Sequence, residues 1–102
     1  MIVGHGDIAQ AIIDRPDRLF FAAGVSNSQE MDEGEYEREM FLFADHVLMV
    51  HPRPHVVYFS SLSIFEKNGR YQRHKRFMEQ AVRELPCYAI VRIGNIDWGS
   101  NP

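Results

Sequence analysis

Four short apolar runs, separated by segments of helical spacing, leave this chain few architectures. The runs cover residues 1–3, 19–23, 56–59 and 88–93 and are rich in β-branched and aromatic side chains. They show little of the in–out alternation of a strand with one wet face, so each reads as a buried strand. Between them, Ile8, Ala9, Ile12 and Ile13 recur at helical spacing. Met40, Phe41, Phe43, Ala44, Val47 and Leu48 do so within 36–50, on more than one side of the helix. Phe77, Met78, Ala81, Val82 and Leu85 form the apolar stripe of a helix over about 71–84. Arg15-Pro16-Asp17, His51-Pro52-Arg53-Pro54 and Pro86 stop these helices, because proline disfavours the helical region for the residue before it. Buried strands alternating with helices imply a parallel sheet. The expected fold is one α/β domain over residues 1–102, in the order β-α-β-α-β-α-β, with about four parallel strands.

Composition narrows the function. The 102 residues suffice for one compact core and not two. Cys87 is the only cysteine, which excludes an intrachain disulfide and a cysteine-based zinc site. A net charge of −3 argues against nucleic acid as partner, since a groove for it needs a clustered basic excess. No apolar run approaches the ~20 residues that span a bilayer. The first residues carry neither a basic flank nor an apolar core segment, so no secretory signal and a cytoplasmic location are expected. His46, His51 and His55 are interrupted by Pro52 and Pro54, so one helix face cannot present them together. They read as surface histidines, and no metal site is expected. The acidic stretch 30–39 reads as a solvated helix start, with carboxylates favoured at its N-terminus.

Three groups of residues carry chemistry. Gly4-His5-Gly6-Asp7-Ile8-Ala9 follows the first strand and opens a helix in a G-x-G-x-x-A pattern. Glycines there permit a tight turn and close approach of backbone to a pyrophosphate; a merely structural turn is the alternative. Tyr71 and Lys75, four residues apart, share one helix face. A tyrosine titrates near pH 10, so service as a base near neutrality asks for a drop of about 3 units, part of which a neighbouring ammonium supplies. With Arg73, His74 and Arg76 beside them, the alternative is a solvated face. Ser60 and Ser61 end the third strand, at the sheet edge where open parallel sheets bind ligands. They can orient a substrate oxygen toward Tyr71 or simply cap a turn.

In this combination and order the chain resembles the short-chain dehydrogenase/reductase superfamily. It is most similar to the extended branch of nucleotide-sugar epimerases and dehydratases. Leu19-Phe-Phe-Ala-Ala-Gly-Val-Ser26 looks like that branch's fourth strand, ending in an Ala-rich turn beside the cofactor. Val56-Val-Tyr-Phe-Ser-Ser-Leu-Ser-Ile-Phe65 is similar to its fifth strand and serine motif, with Phe65 in place of a usual tyrosine. Ile90-Val-Arg-Ile-Gly-Asn-Ile-Asp-Trp-Gly99 resembles its sixth strand and the loop lining the nicotinamide end. The resemblance implies NAD or NADP as cofactor, a nucleotide or nucleotide sugar as substrate, and a homodimer. It also implies a catalytic set of Ser61, Tyr71 and Lys75. Tyr71 would be the acid/base on a substrate hydroxyl, Lys75 would hold the nicotinamide ribose, and Ser61 would position the reacting oxygen. Gly4, Gly6, Asp7, Ile8, Ala22, Ala23, Gly24, Lys75 and Asn95 would line the dinucleotide.

Relative to that family the chain omits the second and third strands, and with them the acidic residue that holds the adenosine ribose. The expected fold is therefore a minimal Rossmann-like sheet. With those strands missing, three right-handed crossovers run in one direction and put their helices on one face of the sheet. The other face is then bare, and an apolar bare face favours self-association; the alternatives are a left-handed first connection or another chain that completes the sheet.

Overall fold

The computed structural model describes residues 1–94. Its elements are β1 (Ile2–Val3), α1 (Asp7–Ala11), β2 (Leu19–Phe21), α2 (Glu33–Phe43), β3 (Val56–Ser61), α3 (Arg70–Arg83) and β4 (Tyr88–Ile93). A π-helical turn, Ala44–Leu48, extends α2, and a 3-10 turn, Leu62–Phe65, follows β3. The four strands are all parallel and lie in the order β1-β2-β3-β4. This is the expected α/β sheet, with every crossover running in the same direction.

The register explains where the core sits. Phe21 lies beside Val3 and Tyr58, and Tyr58 beside Ile90, so these side chains share one face. Phe43 and Val47 from the α2 segment join them, with Met78 and Val82 from α3 and Leu85 just beyond it. Phe21 meets Phe43 edge-on at 5.4 Å and stacks on Tyr58 at 6.0 Å. The opposite face carries Phe20, Val57 and Ala89 in one row and Phe59 and Val91 in the next. None of these belongs to the cluster packed by α2 and α3, and Val91 is 40% exposed.

Element boundaries depart from the apolar pattern for local reasons. α2 begins at Glu33, because the Asp32 carboxylate accepts from the Gly34 amide at 2.9 Å and caps it. α1 stops after five residues instead of reaching Ile13, which is 87% exposed. There the N-terminal ammonium binds the carbonyls of Arg15 and Arg18 at 3.0 and 2.9 Å and pairs with Asp14, tying the chain back toward β2. β3 runs on through Ser60 and Ser61, which pair with Arg92 and Ile93 of β4. Phe77 is 58% exposed and outside the core, whereas Met78 and Val82 are buried as expected.

Candidate functional site

The carboxyl ends of the parallel strands open onto one cleft of about 1270 Å³. Gly4, Gly6, Asp7 and Ile8 line it from the first turn, and Ala22, Ala23 and Gly24 from the end of β2. Ser61, Tyr71 and Lys75 line it from β3 and α3. The fold therefore collects every sequence-selected residue within the described range; Asn95, like Trp98, lies outside the described residues.

Each glycine has its own reason. Gly4 holds φ +123°, and a Cβ there would stand 2.5 Å from the Ala22 carbonyl oxygen, so the turn against β2 admits no side chain. A Cβ on Gly6 would meet nothing within 4 Å. Packing therefore does not demand glycine at position 6, whose Cα faces free space. Gly24 leaves room for something unexpected. A Cβ there would lie 2.7 Å from Lys75 Nζ and 3.2 Å from both carboxylate oxygens of Glu39.

Ser61 accepts from the Ser63 amide at 3.1 Å and lies 2.8 Å from the Ser63 hydroxyl, which fixes it at the mouth of the 3-10 turn. Tyr71 is buried rather than part of a solvated face. Burial raises its pKa and the Glu39 charge adds to that, while a hydrogen bond with Ser61 pulls the other way. The net direction is upward, so Tyr71 carries its proton at neutral pH.

Lys75 is buried too, which corrects the reading of this helix face as solvated. Its Nζ lies 3.6 Å from Glu39 Oε1, donates to the Tyr58 hydroxyl at 3.4 Å, and sits 5.6 Å from the Tyr71 ring centroid. Glu39 is fully buried, a second correction, since it falls in the acidic stretch expected to be solvated. Its Oε1 accepts from the Val25 amide at 2.8 Å and lies 2.9 Å from His74 Nε2, while its Oε2 accepts from the Tyr58 hydroxyl. Burial pushes this carboxyl up, but Lys75, His74 and Tyr58 together outweigh it and hold it down to about 2. The ammonium fares differently. Burial depresses the Lys75 pKa, and attraction to Glu39 only partly offsets it. The carboxylate gathers several donors, whereas the ammonium has the carboxylate and one long hydroxyl contact. Burial and Glu39 together raise the Tyr58 phenol well above its usual value.

Glu39 and His74 are the site residues that apolar periodicity passes over, and Tyr58 reads there only as part of a buried strand. A signal was present. Glu39 stands three residues after Tyr36 and four before Phe43, both buried, and His74 stands three after Tyr71 and four before Met78. The cations Arg38 and Lys67 also face the cleft, as does the His5 ring. Among the described residues no group of three or more His, Cys, Asp and Glu is placed to hold a metal ion. No helix among them is long and apolar enough to cross a membrane. No protein-family model, curated protein or solved structure matches the chain.

Proposed function

We propose that the cleft binds a nicotinamide dinucleotide, NAD or NADP, and that Ser61, Tyr71 and Lys75 form its reactive wall. The substrate would be a small molecule carrying a hydroxyl or carbonyl, such as a nucleotide sugar. One observation carries the reading. Residues from four separate stretches, three selected for their chemistry and residues 22–24 by the resemblance, line one cleft at the carboxyl ends of a parallel sheet, where ligands of open α/β sheets bind. The residues fit such a ligand, because the positive-φ turn at Gly4 and the free space over Gly6 let backbone approach it closely. Arg38 offers a cationic partner for phosphate and the His5 ring a hydrogen-bonding one, which the five-residue α1 and the charge of Asp7 do not.

Bound, the dinucleotide supplies or accepts a hydride. The chain's own part is orientation and proton transfer. Ser61 holds the substrate oxygen, and Tyr71, protonated at neutral pH, donates its phenolic proton to that oxygen as a carbonyl is reduced. The reverse direction asks Tyr71 for a phenolate and is favoured by alkaline pH. Under the same proposal the protein acts in the cytoplasm and a second copy covers the open sheet face, as a homodimer.

Isothermal titration with NAD⁺, NADH and NADPH tests this. Saturable binding that Gly6→Asp weakens supports it; no binding at millimolar ligand to a folded protein overturns it. A second reading, a nucleotide binder without turnover, is favoured by the burial of Lys75 against Glu39. Hydride transfer lost in Tyr71→Phe with binding kept supports the enzyme. Binding with no hydride transfer in the unaltered protein supports the binder.

A further inference from the structure

The most densely connected polar group among the described residues is a carboxylate that no recognised motif includes. Glu39 comes from α2, yet its two oxygens reach the backbone after β2, the hydroxyl of Tyr58 on β3, and His74 and Lys75 on α3. It lies behind the cleft wall, and Lys75 stands between it and Tyr71. We propose that Glu39 is a positioning residue: it anchors the Lys75 ammonium beneath Gly24 and so fixes the cationic floor of the cleft against which Tyr71 and the ligand are set.

Three features support this. Gly24 has no side chain where one would collide with Lys75 Nζ and crowd Glu39, so the local backbone is shaped around the pair. Lys75 is hemmed by aromatic rings on two sides, 5.3 Å from the Tyr58 centroid and 5.6 Å from that of Tyr71, which limits where its ammonium can go. The charged and titratable groups acting on Lys75 are Glu39 and Arg38 from α2, Tyr58 from β3, and Tyr71 and Glu79 within reach on β3's covering helix α3. Of the two carboxylates, Glu79 is already taken by Arg83 and Arg92 at 2.9 and 2.8 Å. Glu39 is therefore the anion that holds Lys75 in place. Removing its charge leaves a buried ammonium without its nearest anion, a state that favours loss of its proton.

The inference rests on the dinucleotide reading for its functional consequence, and the test separates the two. NMR of the lysine ε-methylene groups, with Lys75→Met identifying the Lys75 signal, follows its titration in the ligand-free protein. In Glu39→Gln the Lys75 titration is expected to move down by about one unit or more. An unchanged titration overturns the proposal whether or not a nucleotide binds. NADH affinity is then compared in Glu39→Gln, Lys75→Met and the double variant. If Glu39 acts through Lys75, the double variant is no weaker than Lys75→Met alone; losses that add overturn the positioning role. Wild-type protein that binds no NADH sinks the functional reading, while the titration still decides the role of Glu39. Should Glu39→Gln fail to fold, Glu39→Asp is read the same way. A carboxylate one methylene shorter keeps the charge and draws back from Lys75, so a smaller downward shift is expected, and none overturns the proposal.

Discussion

At the scale of single residues, the glycines divide by what their missing side chains would strike. Gly24→Ala drives a methyl against Lys75 Nζ and both Glu39 carboxylate oxygens, so Lys75 must leave Glu39 toward the cleft it lines. An overpacking cost of about 1–3 kcal/mol is expected, read as a lower melting temperature. Gly6→Ala puts its methyl into open space at φ −82° and should leave stability within about 0.5 kcal/mol. A loss of NADH affinity in that variant, with melting unchanged, would assign Gly6 to the ligand. Glu39 makes a pH prediction of known sign. Its folded pKa lies below the ordinary 4.5, so its contribution is complete above that pH and lost as pH falls toward about 2. The span corresponds to about 3 kcal/mol, and urea titrations across it should show that loss, absent in Glu39→Gln. Tyr71 and Lys75 were legible as a pair from their spacing. Their burial was not, because Arg73, His74 and Arg76 surround them in sequence, and only the fold turns His74 inward and Arg76 onto the Ile64 carbonyl.

At the scale of elements, α3 joins the site to the sheet. Its first half sets Tyr71 and Lys75 in the cleft wall and buries His74; its second half buries Met78 and Val82 in the core. Glu79, at the junction, grips β4 through two bonds to Arg92 at 2.8 and 3.1 Å. Burial works against its charge, but Arg92, Ser60 and Arg83 prevail and lower its pKa. Glu79→Ala should cost about 2 kcal/mol in urea unfolding. That is less than the 3–5 typical of a fully buried pair, because both arginines keep contact with water. The strand centres were readable from β-branched and aromatic runs, since that pattern is what burial on a pleated surface selects. Ser60 and Ser61 were legible as the end of β3, and the ladder to β4 continues through them. Helix ends were not. α1 ends early because Ile12 already takes an extended backbone, φ −89° and ψ 141°, although Ile12 and Ile13 continue the helical spacing of apolar residues.

At the scale of the whole molecule, the strand order is the one expected when the second and third strands of the resembled fold are left out, and its consequence is the asymmetry of the sheet. α2 and α3 cover the face bearing Phe21 and Tyr58, while Phe59 and Val91 sit side by side on the other. A contiguous apolar surface of this kind is seldom left to water. The proposed homodimer places it between two copies, and sedimentation equilibrium should report twice the chain mass. Two single variants then locate the contact. Val91→Lys puts a charge into the open face, beside Phe59, where it must be desolvated when the copies meet. It is expected to weaken self-association at least tenfold while far-UV circular dichroism stays unchanged. Phe41→Lys changes a side chain that is 70% exposed on α2, the other apolar surface, and should leave the dimer intact. The reverse result, dissociation by Phe41→Lys and none by Val91→Lys, would move the interface to the helix. A monomeric wild type would leave the sheet face bare in solution and remove the dimer from the proposal, with the cleft untouched, because both of its walls come from one chain.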